Sequence, residues 1–238
     1  MDIEFFDIES INVSGKTLPY CISYTEKGVI SFNKFQACTK TEAALFIINN
    51  FNSKGIYYSH NLAFDFFLII EGLKSIKAKV EIVCVEGNLY AAYVTYGKKK
   101  IKFRCSLKLI RVGLKNFYPD LYYKKKLEMP FDFDSVNGPR LDSLEPFKEE
   151  DYMERNITDV EILMNGYWNF IKCLLDLDMS KSEISKHYTP GGIVISFFVK
   201  KYNSINLSMP CYQKRMLKPY FYGGRCEIFG NKKNSENF

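Results

Sequence analysis

Apolar and polar positions along Ile3 to Glu9 predict a strand, because successive side chains of an extended chain point to opposite faces. Leu18–Thr25 and Gly28–Phe32 read the same way, with Gly15-Lys16 and Glu26-Lys27-Gly28 as turns, so the chain opens on antiparallel strands. Thr39 or Thr41, with Glu42 close behind, predicts a helix running to Phe51. Gly55 interrupts it, Ile56–Ser59 is expected as a short buried strand, and a second helix should cover Ala63 to Gly72. Val80–Val85, Leu89–Tyr96 and Lys100–Cys105 form a further meander, followed by a weakly helical stretch from Leu107 to Tyr118. Asp120 to Pro146 is polar and rich in Lys, Pro, Asp and Gly, which predicts a long surface excursion. A long amphipathic helix then spans Glu149 to Leu177, with Val160, Leu163, Met164, Tyr167, Ile171 and Leu174 on one stripe. Gly191–Tyr202 is a last helix. Strands and helices mixed in this order predict an α/β fold.

Composition narrows the class. At 238 residues, 47% hydrophobic and 16% aromatic, the chain can bury a large core, and global disorder is excluded. A net charge of +6 permits nucleic-acid binding without demanding it. The seven cysteines, at positions 21, 38, 84, 105, 173, 211 and 226, form no Cys-x-x-Cys pair. A zinc site and a disulfide framework are therefore poorly supported, and a reducing compartment is expected. No basic segment precedes an apolar stretch after Met1, and the longest apolar run, Ala63 to Ile70, contains Asp65 and is too short for a bilayer. A soluble intracellular protein without membrane contact is expected, in a host cytoplasm or in a mitochondrion.

The candidate chemistry lies in carboxylates. Asp7 and Glu9 are two apart in the first strand, so both project from one face. Held side by side near a core, two like charges are costly, and a divalent cation relieves that cost. A solvated acidic edge is the alternative. Asp65 sits among aromatics near a helix start, where a carboxylate also complements the helix dipole. Asp159 lies on the long helix, where a lone Asp is often simply solvated.

Taken in order, these residues resemble the exonuclease motifs of family B DNA polymerases, most closely the protein-primed enzymes of small phages, linear plasmids and mobile DNA elements. Phe6-Asp7-Ile8-Glu9, with Ser10 after it, is similar to the first motif. Tyr58-Ser59-His60-Asn61-Leu62-Ala63-Phe64-Asp65 is similar to the second, and Asp159-Val160-Glu161-Ile162-Leu163 to the later part of the third. Ser106-Leu107-Lys108, Lys126 ahead of Leu127-Glu128-Met129-Pro130, and Tyr222-Gly223-Gly224-Arg225 follow in the family's order.

The resemblance implies an RNase H-like 3′-5′ exonuclease fold over 1–180, a mixed sheet flanked by helices, and a linker over 181–238 toward a polymerase palm. It implies Asp7, Glu9, Asp65 and Asp159 as ligands of two Mg²⁺ or Mn²⁺ ions, about 3.5–4 Å apart. Single-stranded DNA at a primer terminus would be held by Ser10, Asn61, Phe64, Tyr222, Gly223, Gly224 and Arg225. The bland roles of Asn61 and Phe64 are a helix cap and core packing. Lys126 would neutralise phosphate, although Lys124-Lys125-Lys126 also reads as a solvated patch.

The third motif departs from the family, which places a tyrosine four residues before its aspartate. Here Arg155 stands at that position, and the nearest tyrosine is Tyr152. Either Asp159 is the ligand with Tyr152 as the displaced tyrosine, or the ligand position has become Asn156. Asp159 is preferred, since the residues after it fit and Asn156 would forfeit a carboxylate. Tyr152 lies roughly 10 Å from Asp159 along the helix axis, too far to share a water unless the helix start is irregular. The sequence holds no palm aspartates after Tyr222-Gly223-Gly224, so polymerisation by this chain alone is not expected. A separate polymerase polypeptide or a terminal protein is the partner implied.

Overall fold

A computed structural model describes residues 2–126, 149–201, 221–222 and 225–226. Its centre is a seven-stranded sheet built from β1 (Asp2–Val13), β2 (Lys16–Glu26), β3 (Val29–Lys34), β4 (Gly55–Ser59), β5 (Lys79–Val85), β6 (Asn88–Tyr96) and β7 (Lys99–Cys105). The order is β3-β2-β1-β4-β7-β6-β5. Strands β1, β4 and β7 are parallel in the middle; β2 and β6 run antiparallel to them, and the edge strands β3 and β5 run antiparallel to β2 and β6. The mixed sheet expected from the sequence is thus present, with helices on both faces.

One face is covered by α1 (Lys40–Asn50) and α2 (Leu62–Ser75). Thr39 caps α1 by accepting a hydrogen bond from the Glu42 amide at 3.1 Å, and Glu42 in turn accepts from the amides of Gln36 and Ala37. Phe6, Ile8, Ile22, Phe51, Tyr57 and Phe103 bury beneath these helices. Gly72 lets α2 pass against the backbone of Lys40, where a Cβ would sit only 1.9 Å from a carbonyl oxygen.

The opposite face is covered by α6 (Glu149–Leu175), whose Val160, Leu163, Tyr167 and Ile171 pack on Phe5, Ile56 and Tyr58. That stripe is the one the periodicity marks. Between β7 and α6 lie the short helices α3 (Ser106–Ile110), α4 (Leu114–Phe117) and α5 (Pro119–Lys126). The last is a correction to the expected surface excursion, which begins as helix; residues 127–148 lie outside the described part. After α6, α7 (Lys181–Ile184) and α8 (Pro190–Lys201) bury Ile184 and Ile193 in the same core as α6. A two-residue pairing, β8 (Phe221–Tyr222) with β9 (Arg225–Cys226), sets Tyr222 opposite Arg225. No helix among the described residues is long and apolar enough to cross a membrane.

Candidate metal centre

The centre forms where two parallel strands part. Strand β4 pairs with β1 only along Asp2 to Phe5, then ends at Ser59 and turns into α2. Beyond Phe5, the β1 amides on that side lose their strand partner and need another acceptor. Asp65 supplies it: its Oδ1 accepts from the Ile8 amide at 2.9 Å, and the residue is 1% exposed. A crevice at the carboxyl ends of diverging parallel strands is the usual place for a site in an open α/β sheet.

On β1, Phe5, Asp7, Glu9 and Ile11 share the face toward α6, while Phe6 and Ile8 face the other helices. The register of β1 with β2 shifts between Glu9 and Ser10, where Glu9 pairs with Cys21 and Ser10 with Pro19. The unpaired residue is Tyr20, a bulge of the kind that re-aims side chains next to sites. From above, α6 lowers Tyr152, Asn156 and Asp159 as the polar continuation of its buried stripe.

Oxygens of Asp7, Glu9 and Asp159 come within 4.8 Å of one another. Asp65 is outside that trio but borders it. Burial holds Asp7 well above the usual carboxylate range, and the charges of Asp65, Glu9 and Asp159 push it further, opposed by Arg155. Burial likewise lifts Asp65 from 3.8 to about 7, against the hydrogen bond from Ile8 that lowers it. Four carboxylates in one crevice are a surplus of negative charge that the polypeptide only partly offsets.

Two consecutive residues of α6 make that partial offset. Arg155 Nε is 2.7 Å from Glu9 Oε1 and 3.8 Å from Asp159 Oδ2. Asn156 Nδ2 donates to Asp7 Oδ2 at 2.7 Å and to the Asp7 carbonyl at 3.2 Å, while its own Oδ1 is buried with no hydrogen-bond partner. Asn156 and Asp159 thus both reach the acids. His60 borders Asp159; burial pushes it down to about 4, so it is neutral, and its Nδ1 meets Ser106 Oγ at 3.1 Å. Ser106 also bonds the Ser59 carbonyl, fixing the turn between β4 and α2.

The remaining sequence candidates separate. Asn61 occupies the N-cap position of α2 in a left-handed conformation (φ 65°) and makes no side-chain cap, so its carboxamide is exposed. Phe64 is 46% exposed, which rules out the core-packing role. Ser10 is partly buried next to the bulge. Tyr152 is 3% exposed and packs on Tyr20 at 4.8 Å between ring centres; burial, then the charge of Glu9, pushes its phenol up to about 12. Because α6 is regular from Glu149 onward, the irregular start that would bring Tyr152 to Asp159 is not there. Lys126 closes α5, its side chain outside the described part, as are Gly223 and Gly224 and the side chains of Tyr222 and Arg225.

An all-oxygen donor set with surplus negative charge fits a hard divalent cation. Sequence foresaw the acids. It did not foresee the contact of Asn156 with Asp7 or of Arg155 with Glu9, which join residues 146 or more positions apart and depend on how α6 lies on the sheet.

No protein-family model and no curated protein matches the chain. Solved structures do. Phi29 DNA polymerase complexed with single-stranded DNA superposes with a TM-score of 0.63 at 16% identity, covering 92% of this chain and 39% of that one. The same polymerase with primer-template DNA gives 0.62 at 14% identity, over 92% of this chain and 39% of the other. With primer-template DNA and incoming nucleotide it gives 0.61 at 15%, over 92% and 38%. The chain therefore spans less than half the length of the polymerase it matches. Over that span it carries the fold of phi29 DNA polymerase, as the likeness of its motifs to the N-terminal portion of a protein-primed family B enzyme implies.

Proposed function

We propose that the chain is a metal-dependent 3′→5′ exonuclease acting on single-stranded DNA ends in support of proofreading. One observation carries this: acids from β1, α2 and α6 converge in one crevice, and the helix that brings Asp65 begins with an exposed asparagine and an exposed phenylalanine. Asp7, Glu9 and Asp159, backed by Asp65, would hold Mg²⁺ or Mn²⁺. Such an ion, when bound, activates water and neutralises charge developing on the scissile phosphate.

The chain's own groups do the positioning. Asn156 aims the Asp7 carboxylate by bonding one of its oxygens, and Asp65 fixes the middle of β1 through the Ile8 amide. The Phe64 ring offers a stacking surface for a terminal base, and the Asn61 carboxamide a hydrogen-bonding group one turn before Asp65. Lys126 serves phosphate. Ser10 and the segment Tyr222-Gly223-Gly224-Arg225 belong to the DNA path; Tyr152 supports the wall at Glu9. Residues 1–180 form the nuclease unit and 181–238 the link to a polymerase palm on another polypeptide or in a longer chain, with a terminal protein as a further partner.

The test is incubation of the purified chain with end-labelled single-stranded DNA in Mg²⁺ or Mn²⁺ and in chelator. Stepwise shortening from the 3′ end, lost in chelator and in the double variant D7A/D65A, is expected. DNA binding without shortening would leave a DNA-binding module of the same fold and sink the nuclease reading.

A further inference from the structure

In the crevice, a side chain of fixed positive charge already stands between two of the acids. Arg155 Nε approaches Glu9 at 2.7 Å and Asp159 at 3.8 Å, and all three side chains are mostly enclosed, at 14%, 14% and 7% exposure. The guanidinium is a planar, rigid cation whose fork of N–H donors suits carboxylate oxygens. It is anchored from below, because the next residue, Asn156, is buried and its side-chain Nδ2 donates to both the carboxylate and the carbonyl of Asp7. The pair 155–156 therefore lays a cation on one side of the crevice and a neutral donor on the other.

A two-ion centre needs cations about 3.5–4 Å apart, each drawing on oxygens at about 2.0–2.1 Å for magnesium. One carboxylate oxygen from each of Asp7, Glu9 and Asp159 lies within 4.8 Å of the others, and a guanidinium nitrogen lies within ion-pair distance of two of those three residues. Arg155 thus already neutralises two of the three clustered carboxylates, the charge a second divalent ion would otherwise draw on. We propose that Arg155 takes the place of one metal ion, so that the crevice holds a single divalent cation alongside a built-in organic one. This rests on the nuclease reading and departs from its two-ion form. Glu9 then serves mainly as the partner of Arg155, and Asp7 with Asp159 carries the metal.

The test counts ions on the full chain, without turnover. Mn²⁺ is titrated by electron paramagnetic resonance and calorimetry, with and without an oligothymidine whose 3′ linkages are phosphorothioates. The D7A variant sets the background. Wild type and R155K, which keeps the charge, should bind one specific Mn²⁺ per chain under both conditions. R155A should bind two, a twofold rise, and R155Q, which keeps the side-chain length, should do the same should R155A fail to fold. In parallel, Mn²⁺ should raise the unfolding temperature of R155A or R155Q more than that of wild type. Two specific ions in wild type, or one in the neutral variants, overturns the substitution of Arg155 for a metal while leaving the nuclease reading intact. No specific ion in any protein overturns both.

Discussion

Replacing Asp65 by asparagine should stabilise the metal-free protein at high pH. The amide keeps an oxygen for the Ile8 N–H and removes a charge from a crevice crowded with others. Burial lifts Asp65 from 3.8 to about 7 in the folded chain. Its unfolded counterpart ionises near 3.9, so between these values the folded state binds the extra proton. Stability conferred by that proton is fully present below about pH 4 and is lost as pH rises through about 7. The raised pKa of Asp65 costs the metal-free fold about 4 kcal/mol at pH 8, where the buried group is ionised, and under about 2 kcal/mol at pH 5, where it holds its proton. The advantage of D65N should therefore grow by about 2–3 kcal/mol from pH 5 to pH 8, or about 5–10 °C in unfolding temperature. Thermal unfolding in chelator at both pH values measures it, and Mg²⁺ should narrow the gap at pH 8 by stabilising wild type alone. A difference that does not change with pH, or a loss of stability at pH 8, would refute the reasoning.

Asn156→Ala removes two hydrogen bonds to Asp7, one to its carboxylate, and should lower stability by about 1.5–3 kcal/mol in urea unfolding while weakening Mn²⁺ binding. Phe64→Ala should leave unfolding unchanged, because the ring is 46% exposed, yet weaken single-stranded DNA binding by about 1–3 kcal/mol in fluorescence anisotropy. Gly166→Ala would place a Cβ 2.1 Å from the Phe117 ring and 2.7 Å from its carbonyl oxygen; unfolding should show about 1–3 kcal/mol of overpacking between α4 and α6.

Much of the architecture was legible because it follows local periodicity. The β1 alternation, the Thr39 cap and the α6 stripe all stand where the residue pattern places them. Helix α5 was not legible: Tyr122 to Lys126 lack an apolar stripe, and lysine runs read equally well as loop. The acids of the centre were legible through their order and spacing. What the sequence could not convey was contact across the fold. Arg155 looked like a defect in a motif, yet it is the cation between Glu9 and Asp159; Asn156 looked like a rival to Asp159, yet both reach the acids. Phe64 could equally have been core, since an aromatic among aromatics carries no sign of which face of α2 it takes.

The measurement closest to the central claim is anomalous diffraction from crystals of the chain grown with Mn²⁺. An anomalous peak among the carboxylates of Asp7, Glu9 and Asp159, beside Asp65, is the expected result. Ordered density for those four side chains with no metal peak between them at saturating Mn²⁺ would contradict it.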